Sequence, residues 1–125
     1  MAGTHTLVNL HDVPDAAAGG ALSEFQEARF ARAALQAADT GLAYHRLRPG
    51  KRQGFAHRHD KAEELHVVLS GEGTVTVDGE VVALKPMDAL RIAPEAVRIF
   101  EAGPDGMEFL VFGPHHEGDG EIVKE

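Results

Sequence analysis

The sequence predicts an all-β fold, an antiparallel sandwich or barrel, on two observations. From residue 41 onward, short runs rich in Val, Leu, Ile and Phe alternate with turn signals, and this spacing is typical of antiparallel β domains. Asp78 and Gly79 stand between the runs TVTV and EVVAL, where both central positions of a two-residue hairpin favour positive φ. Roughly eight strands of ordinary length fit between residues 41 and 112.

The residues before this region are less regular. Residues 1–22 are rich in Ala, Gly and Asp and weakly patterned, which indicates an N-terminal arm. Residues 23–38 are compatible with two structures. Ser23 and Gln26 have capping-box spacing in an alanine-rich segment, which favours a helix. The stretch EARFAR also alternates in polarity, which favours a strand.

The sequence contains two further turn signals and a polar C-terminal segment. SGEG at residues 70–73 and GPDG at residues 103–106 contain the residues that turns require, and the second predicts a hairpin. Residues 114–125 are polar and indicate a surface tail. Its adjacent histidines, His115 and His116, could bind metal adventitiously, although a solvated tail is the commoner role of such a segment.

Composition narrows the class of protein. The 125 residues suit one compact domain, and 43% of them are hydrophobic, enough for a single core. There is no Cys, which excludes disulfides and thiolate ligands. The net charge of −8 disfavours nucleic-acid binding. No apolar run is long enough for a membrane span, and the N-terminus does not read as a signal peptide, so we expect a cytoplasmic location.

The stretch HRHDKAEELH contains the candidate metal-ligating residues. Because strand side chains alternate between faces, Phe55, His57 and His59 point the same way, and Glu64 and His66 share a face of the following strand. If the two strands pair, both histidines and Glu64 converge. Two imidazoles and one carboxylate suit a divalent transition metal ion. The competing interpretation is a polar cluster in a barrel mouth that binds no metal.

This stretch resembles the first motif of the cupin family, in which His-x-His is followed by three or four residues, Glu, six residues and Gly. His57, His59, Glu64 and Gly71 have that spacing. The family's leading glycine is displaced by one position, to Gly50. The resemblance implies that these two histidines and Glu64 are metal ligands, for Zn, Ni, Mn or Fe.

The resemblance extends over residues 42–112. It implies a cupin-type double-stranded β-helix, a jelly-roll barrel, over residues 23–113, with the metal deep in one end and with frequent pairing into a homodimer. It also favours a strand over a helix for residues 27–34. The N-terminal arm and the tail flank this barrel domain.

The second cupin motif is degenerate, because the family's ligand histidine is Arg98 here. A guanidinium cannot donate a lone pair to a metal. Arg98 could pair with Glu64 and replace the metal, or it could lean aside and hold an anionic substrate. His66 could act as a replacement ligand, although a strand histidine with a nearby partner is commoner.

Other candidate substrate-binding residues depend on which face of the strand LAYHRLR points inward. Tyr44 and Arg46 lie on one face, and Ala43, His45 and Leu47 lie on the other. An inward first face adds groups suited to carboxylates. Otherwise these residues are solvated surface groups, the commoner fate of Arg. The candidate substrate-binding set is Arg98, His66, Phe55, Tyr44 and Arg46.

Two functions fit these residues. The first is a stand-alone cupin that binds a divalent metal and a small, anionic ligand in the barrel pocket. The second is a metal-dependent enzyme, dioxygenase-like or isomerase-like, acting on a small carboxylate or polar metabolite. Fold resemblance does not choose between them, because this barrel hosts many chemistries.

Overall fold

The computed structural model describes residues 3–124, and its strands form one curled antiparallel sheet, which confirms the all-β prediction. The strands are β1 Gln26–Phe30, β2 Thr40–Leu47, β3 Ala56–His59, β4 Glu64–Val77, β5 Glu80–Leu84, β6 Ala89–Ile92, β7 Arg98–Pro114 and β8 Gly120–Val123. The order β1-β2-β7-β3-β8 runs across the sheet, and β4 pairs with β5, β6 and β7. No helix among the described residues is long and apolar enough to cross a membrane.

Strands β4 and β7 are long and pair with each other along most of their length. Their register shifts where the sequence analysis expected turns, at residues 70–73 and 103–106. Both turn predictions were wrong, because the chain continues along the same partner after an irregularity. Glycine serves a bulge as readily as a turn, so the local sequence does not separate the two. Six strands, β2 to β7, lie in the region between residues 41 and 112. If β4 and β7 are each divided at the irregularity, the number becomes the eight that the sequence predicts.

Glycines allow β4 and β7 to approach closely at these bulges. A Cβ atom on Gly73 would lie 2.2 Å from the carbonyl oxygen of Glu101. Gly71 has φ +74°, and a Cβ there would lie 2.0 Å from the carbonyl oxygen of Gly106. Side chains at either position would force the two strands apart. The predicted hairpin at Asp78 and Gly79 is confirmed, with φ 47° and 86°, and it joins β4 to β5.

Apolar side chains from both long strands fill the barrel. Phe100 and Phe109 stack with ring centroids 4.6 Å apart, and each is 1% exposed. Burial of this apolar surface is the main stabilising contribution. The buried cluster comprises Leu47, Val68, Val75, Leu84, Ile92, Ala96, Phe100, Ala102, Met107 and Phe109.

The segment predicted as either helix or strand contains both. Residues Gln26–Phe30 form strand β1, and Arg32–Leu35 form a single helical turn, α1. The predicted strand over residues 27–34 is therefore correct only as far as Phe30. Gln36 then adopts φ 56° and ends the turn. The capping-box interpretation was wrong, because Ala21–Glu24 form a 3-10 turn that ends before β1 begins.

Segments near both ends of the chain, within residues 3–124, contact the barrel. In the N-terminal arm, the Asp15 carboxylate accepts hydrogen bonds from the backbone N–H groups of Ala17 and Ala28. At the other end, residues 114–125 do not form only a solvated tail. Gly120–Val123 form β8, which pairs with β3 from Ala56 to His59. The exposed side chains of this strand explain why the composition indicated a tail.

An edge of the sheet leads to a prediction about association. Strand β1 pairs with β2, and no strand pairs with its other side among the described residues, where the N-terminal arm covers it through the bridge between Asp15 and Arg29 and the hydrogen bonds of Ala28. The Phe30 side chain at its end is 59% exposed. Edge strands are stabilised by pairing, so we expect a homodimer that uses the β1 region. Light scattering should give twice the chain mass of 13.4 kDa, and a monomer mass at micromolar concentration would contradict the prediction.

Candidate metal centre

A cavity of about 520 Å³ opens into the barrel, and the predicted ligands line it. Five of the six phenylalanines also line it. Its polar groups are mainly imidazoles, amides and carboxylates. The apolar wall includes Phe30, Leu42, Ala43, Phe55, Phe100, Phe109, Val111 and Phe112.

The three predicted ligands converge from different strands. His57 and His59 alternate along β3 with Arg58 between them, and Glu64 is the first residue of β4. One ligand atom from each of His57, His59 and Glu64 lies within 4.8 Å of the others. The strand pairing expected to produce this was wrong, because among residues 3–124 β3 pairs with β7 and β8. The short connection from His59 to Glu64 brings the ligands together.

One oxygen of Glu64 is the centre of the cluster. Its Oε1 lies 3.4 Å from Nε2 of His59, 3.8 Å from Nε2 of His66 and 4.0 Å from Nη1 of Arg98. The Glu64 side chain is 16% exposed. Burial alone would raise the pKa of Glu64, but contact with His59 and the positive charge of Arg98 hold it below its usual value. Glu64 is therefore ionised at neutral pH.

The two motif histidines respond differently to these surroundings. Contact with the Glu64 carboxylate raises the pKa of His59, and Asp119 acts in the same direction. Burial lowers the pKa of His57 to about 4, and the charge of Arg98 adds to this effect. His57 is consequently neutral at pH 7, the state that a metal ligand requires.

These residues fit a divalent transition metal ion. Nδ1 of His57 and Nε2 of His59 are buried without a hydrogen-bond partner. Buried polar atoms normally have partners, and an ion between these imidazoles and Glu64 would supply one. Imidazole nitrogens with one carboxylate are donors that Zn, Ni, Mn and Fe accept.

Arg98 lies beside this cluster and not on the cavity surface. Its side chain is 0% exposed, and Nη2 donates a hydrogen bond to the carbonyl oxygen of Ala93 at 2.9 Å. Arg98 is not among the residues that line the cavity, and its contact with a ligand stays a prediction. The guanidinium is close enough to Glu64 for a weak ion pair, and its Nε and Nη1 have no hydrogen-bond partner. It therefore acts on the site through its charge.

Of the remaining candidate substrate-binding residues, two line the cavity and two do not. Phe55 and His66 line the cavity. Tyr44 and Arg46 lie on the face of β2 opposite to His45 and do not line this cavity, which is the alternative in which they are not pocket residues. The Tyr44 hydroxyl donates to Glu108, and Arg46 pairs with Glu27 at 3.1 Å.

Five polar residues that line the cavity were not predicted from the sequence as ligand or substrate contacts: Gln26, Arg32, His45, Gln53 and Asp119. His45 lines the cavity from the other face of β2 and stacks on Phe109 with ring centroids 5.2 Å apart. Gln26 and Gln53 also line it. Asp119, from the presumed tail, contacts His59 at 3.2 Å. The sequence could have indicated His45 only if the inward face of the strand LAYHRLR had been known, and the pattern did not decide that face.

The two glutamines that line the cavity have their amide oxygens bonded to the backbone. Oε1 of Gln26 accepts from the backbone N–H of Gly54, and Oε1 of Gln53 accepts from the backbone N–H of Phe100. With each oxygen facing a backbone donor, each NH₂ group points elsewhere. Gln26 is 6% exposed. These amides suit an oxygen acceptor on a bound molecule.

The buried histidines predict an acid-sensitive fold. Burial lowers the pKa of His45 and of His66 to about 4. Between about pH 6.5 and 4 the unfolded chain binds protons that the folded chain does not, so stability falls as pH falls. His59, with its raised pKa, opposes this in part. Urea unfolding of metal-free protein should show a loss of about 1 kcal/mol or more between pH 7 and pH 5.

A variant tests the origin of this acid sensitivity. His45→Phe retains a ring against Phe109 but removes one titrating group, so its stability should change less with pH than that of the wild type. Equal pH dependence in the two proteins would contradict the assignment to His45.

Comparisons with known proteins agree on the fold. The family model described as Cupin domain matches residues 43–113, whereas no curated protein matches the chain. A cupin protein of Bacteroides fragilis is 23% identical, with 98% of this chain and 90% of that chain covered and a TM-score of 0.73. The polyketide cyclase RemF of Streptomyces resistomycificus is 20% identical, with 96% and 86% covered and a TM-score of 0.78.

A third solved structure extends the comparison. A sugar phosphate isomerase of the cupin superfamily from Silicibacter pomeroyi is 17% identical, with 95% of this chain and 82% of that chain covered and a TM-score of 0.74. At these identities the likeness concerns the fold, since one fold hosts many activities.

Proposed function

The chain belongs to the cupin domain family, and from that premise we propose that it binds a divalent transition metal ion through His57, His59 and Glu64. Beside the ion it would hold a small apolar molecule that carries an ionisable oxygen. The observation that carries the proposal is a cluster of buried, unpartnered imidazole nitrogens around a carboxylate in an apolar cavity. A bound ion would supply Lewis-acid stabilisation of an oxygen.

The cavity walls support an apolar body for the ligand. A volume of about 520 Å³ is in the range of small-molecule sites. Aromatic rings from five phenylalanines line it, and such rings favour stacked or edge contacts with an aromatic ligand. The amide groups of Gln26 and Gln53 add hydrogen-bond donors for a second oxygen of that molecule.

Charge supports an anionic oxygen near the metal. The divalent ion and Arg98 together carry three positive charges, whereas the carboxylates of Glu64 and Asp119 supply two negative charges. His57 and His66 are neutral at pH 7, so one positive charge remains in excess. The floor of the cavity would then be positive in a poorly solvated environment, where such charges interact strongly. A phenolate, enolate or carboxylate compensates for this excess.

Matched probe molecules test the proposal. We expect 2-naphthoate to bind Zn²⁺-loaded protein at least about tenfold more tightly than acetate, which lacks the apolar body, or 2-naphthalenemethanol, which lacks the charge. Removal of the metal should weaken naphthoate by a similar factor. Calorimetric titration measures all four affinities. Equal affinities for the three probes, or naphthoate binding that does not depend on metal, would contradict the proposed ligand class.

Catalysis is the second candidate function, supported by the number of protein ligands. Three protein ligands leave coordination positions free for a substrate, as in a dioxygenase-like or isomerase-like enzyme. Oxygen consumption or isomerisation by the metal-loaded chain, absent in His57→Ala, would establish catalysis. Probe binding without conversion of any bound molecule would favour the binding function.

A further inference from the structure

Asp119 connects the C-terminal segment to the metal-binding cluster. It follows a turn in which Gly118 adopts φ +65° and comes directly before β8. Its Oδ2 lies 3.2 Å from Nδ1 of His59, sixty residues earlier in the chain. The Asp119 side chain is 6% exposed. A carboxylate from the presumed tail is thus buried against a predicted metal ligand.

The hydrogen bonds of Asp119 determine which atom of His59 donates. Oδ1 accepts from the backbone N–H of Lys61, and Oδ2 accepts from the backbone N–H of Ala62. A carboxylate accepts hydrogen bonds, and the contact of Asp119 with Nδ1 of His59 at 3.2 Å is shorter than that of Glu64 with Nε2 at 3.4 Å. This geometry favours the proton of a neutral His59 on Nδ1, which then donates to Asp119. In a neutral His59, Nε2 then presents its lone pair toward Glu64.

We propose that Asp119 is a positioning residue of the metal centre, which holds the His59 ring and its tautomer so that Nε2 is the atom free to bind the ion. The inference rests on the proposed metal-binding function. Metal-bound histidines usually donate their second N–H to a carboxylate or carbonyl group, and loss of that partner typically weakens metal binding by about 10–100-fold.

A purely structural role for Asp119 is the alternative, because its segment also attaches β8 to β3. The surface ion pair between Arg58 and Glu121, at 3.1 Å, joins the same two strands without contacting the cluster. Glu121→Ala therefore disturbs the strand attachment and leaves His59 untouched. It is the matched control for Asp119→Ala.

The tautomer of His59 tests the inference without metal. Nitrogen NMR of the metal-free chain at about pH 9, above the usual histidine range, distinguishes protonated from unprotonated ring nitrogens. We expect the proton of wild-type His59 on Nδ1, with a mixture of tautomers in Asp119→Ala. A wild-type His59 protonated on Nε2 would overturn the inference, even if Asp119→Ala fails to fold.

Zn²⁺ affinity gives the second readout. We expect Asp119→Ala to bind about tenfold or more weakly and Glu121→Ala to match the wild type within about twofold. Equal weakening in both variants, or none in Asp119→Ala, would assign Asp119 to strand attachment alone. A wild-type chain that binds no metal would overturn the proposed function and the metal role of Asp119 together. The tautomer would still report whether Asp119 orients His59.

Discussion

Replacing His59 with alanine is expected to weaken Zn²⁺ binding by at least about 100-fold, because loss of a ligand exceeds the 10–100-fold cost of losing its outer partner. His59 contributes the unpartnered Nε2 that faces Glu64 at 3.4 Å. Two protein ligands remain in the variant, fewer than zinc sites ordinarily have. Titration against a competing chelator measures the affinity.

An exposed histidine at the cavity provides the control for this substitution. His116 lines the cavity from the C-terminal segment, and we expect His116→Ala to bind Zn²⁺ within about twofold of the wild type, as is usual for a surface change. If His116→Ala lost affinity while His59→Ala retained it, the metal would bind adventitiously at the chain end and not in the barrel.

Replacing Arg98 with methionine is expected to strengthen Zn²⁺ binding by about tenfold or more, because it removes a buried positive charge beside the ion. Nη1 of Arg98 lies 4.0 Å from Oε1 of Glu64, so the guanidinium competes with the metal for the same carboxylate. The same change should weaken 2-naphthoate, since it lowers the positive charge of the cavity floor. Calorimetry measures both affinities.

Arg91 offers a matched surface position for this second prediction. It pairs with Glu63 at 3.5 Å and is 61% exposed, so Arg91→Met removes the same charge in a solvated place and should leave both affinities nearly unchanged. Weaker metal binding in Arg98→Met would show that Arg98 supports the metal ligands, contrary to the account of a competing cation.

The convergence of the three candidate metal ligands could be predicted because they are close in sequence. All three lie within eight positions: His57, His59 and Glu64. The connection between the two strands is short, so it keeps these side chains close to one another. Asp119 could not be predicted in the same way, because sixty residues separate it from His59 and only the pairing of β8 with β3 brings it back. Its polar surroundings are equally typical of a free tail.

The fold shows the same dependence on distance along the chain. The hairpin at Asp78 and Gly79 is a local event, and the dipeptide alone predicts it. The bulges near Gly71 and Gly106 look like turns in the sequence. The strands are continuous there because β4 and β7 pair with each other on both sides of each irregularity. The inward face of β2 was equally undetermined, because Tyr44 and His45 are both plausible pocket residues until the barrel closes.

Elemental analysis of the purified protein tests the central claim most directly. We expect about one divalent transition metal ion per chain in the wild type after loading and dialysis, and close to none in His57→Ala. The variant should otherwise keep the wild-type β-sheet spectrum, so that the loss reports on the site. Wild-type protein that retains no metal, and whose melting temperature does not rise at millimolar Zn²⁺, Ni²⁺, Mn²⁺ or Fe²⁺, would contradict a metal centre at His57, His59 and Glu64.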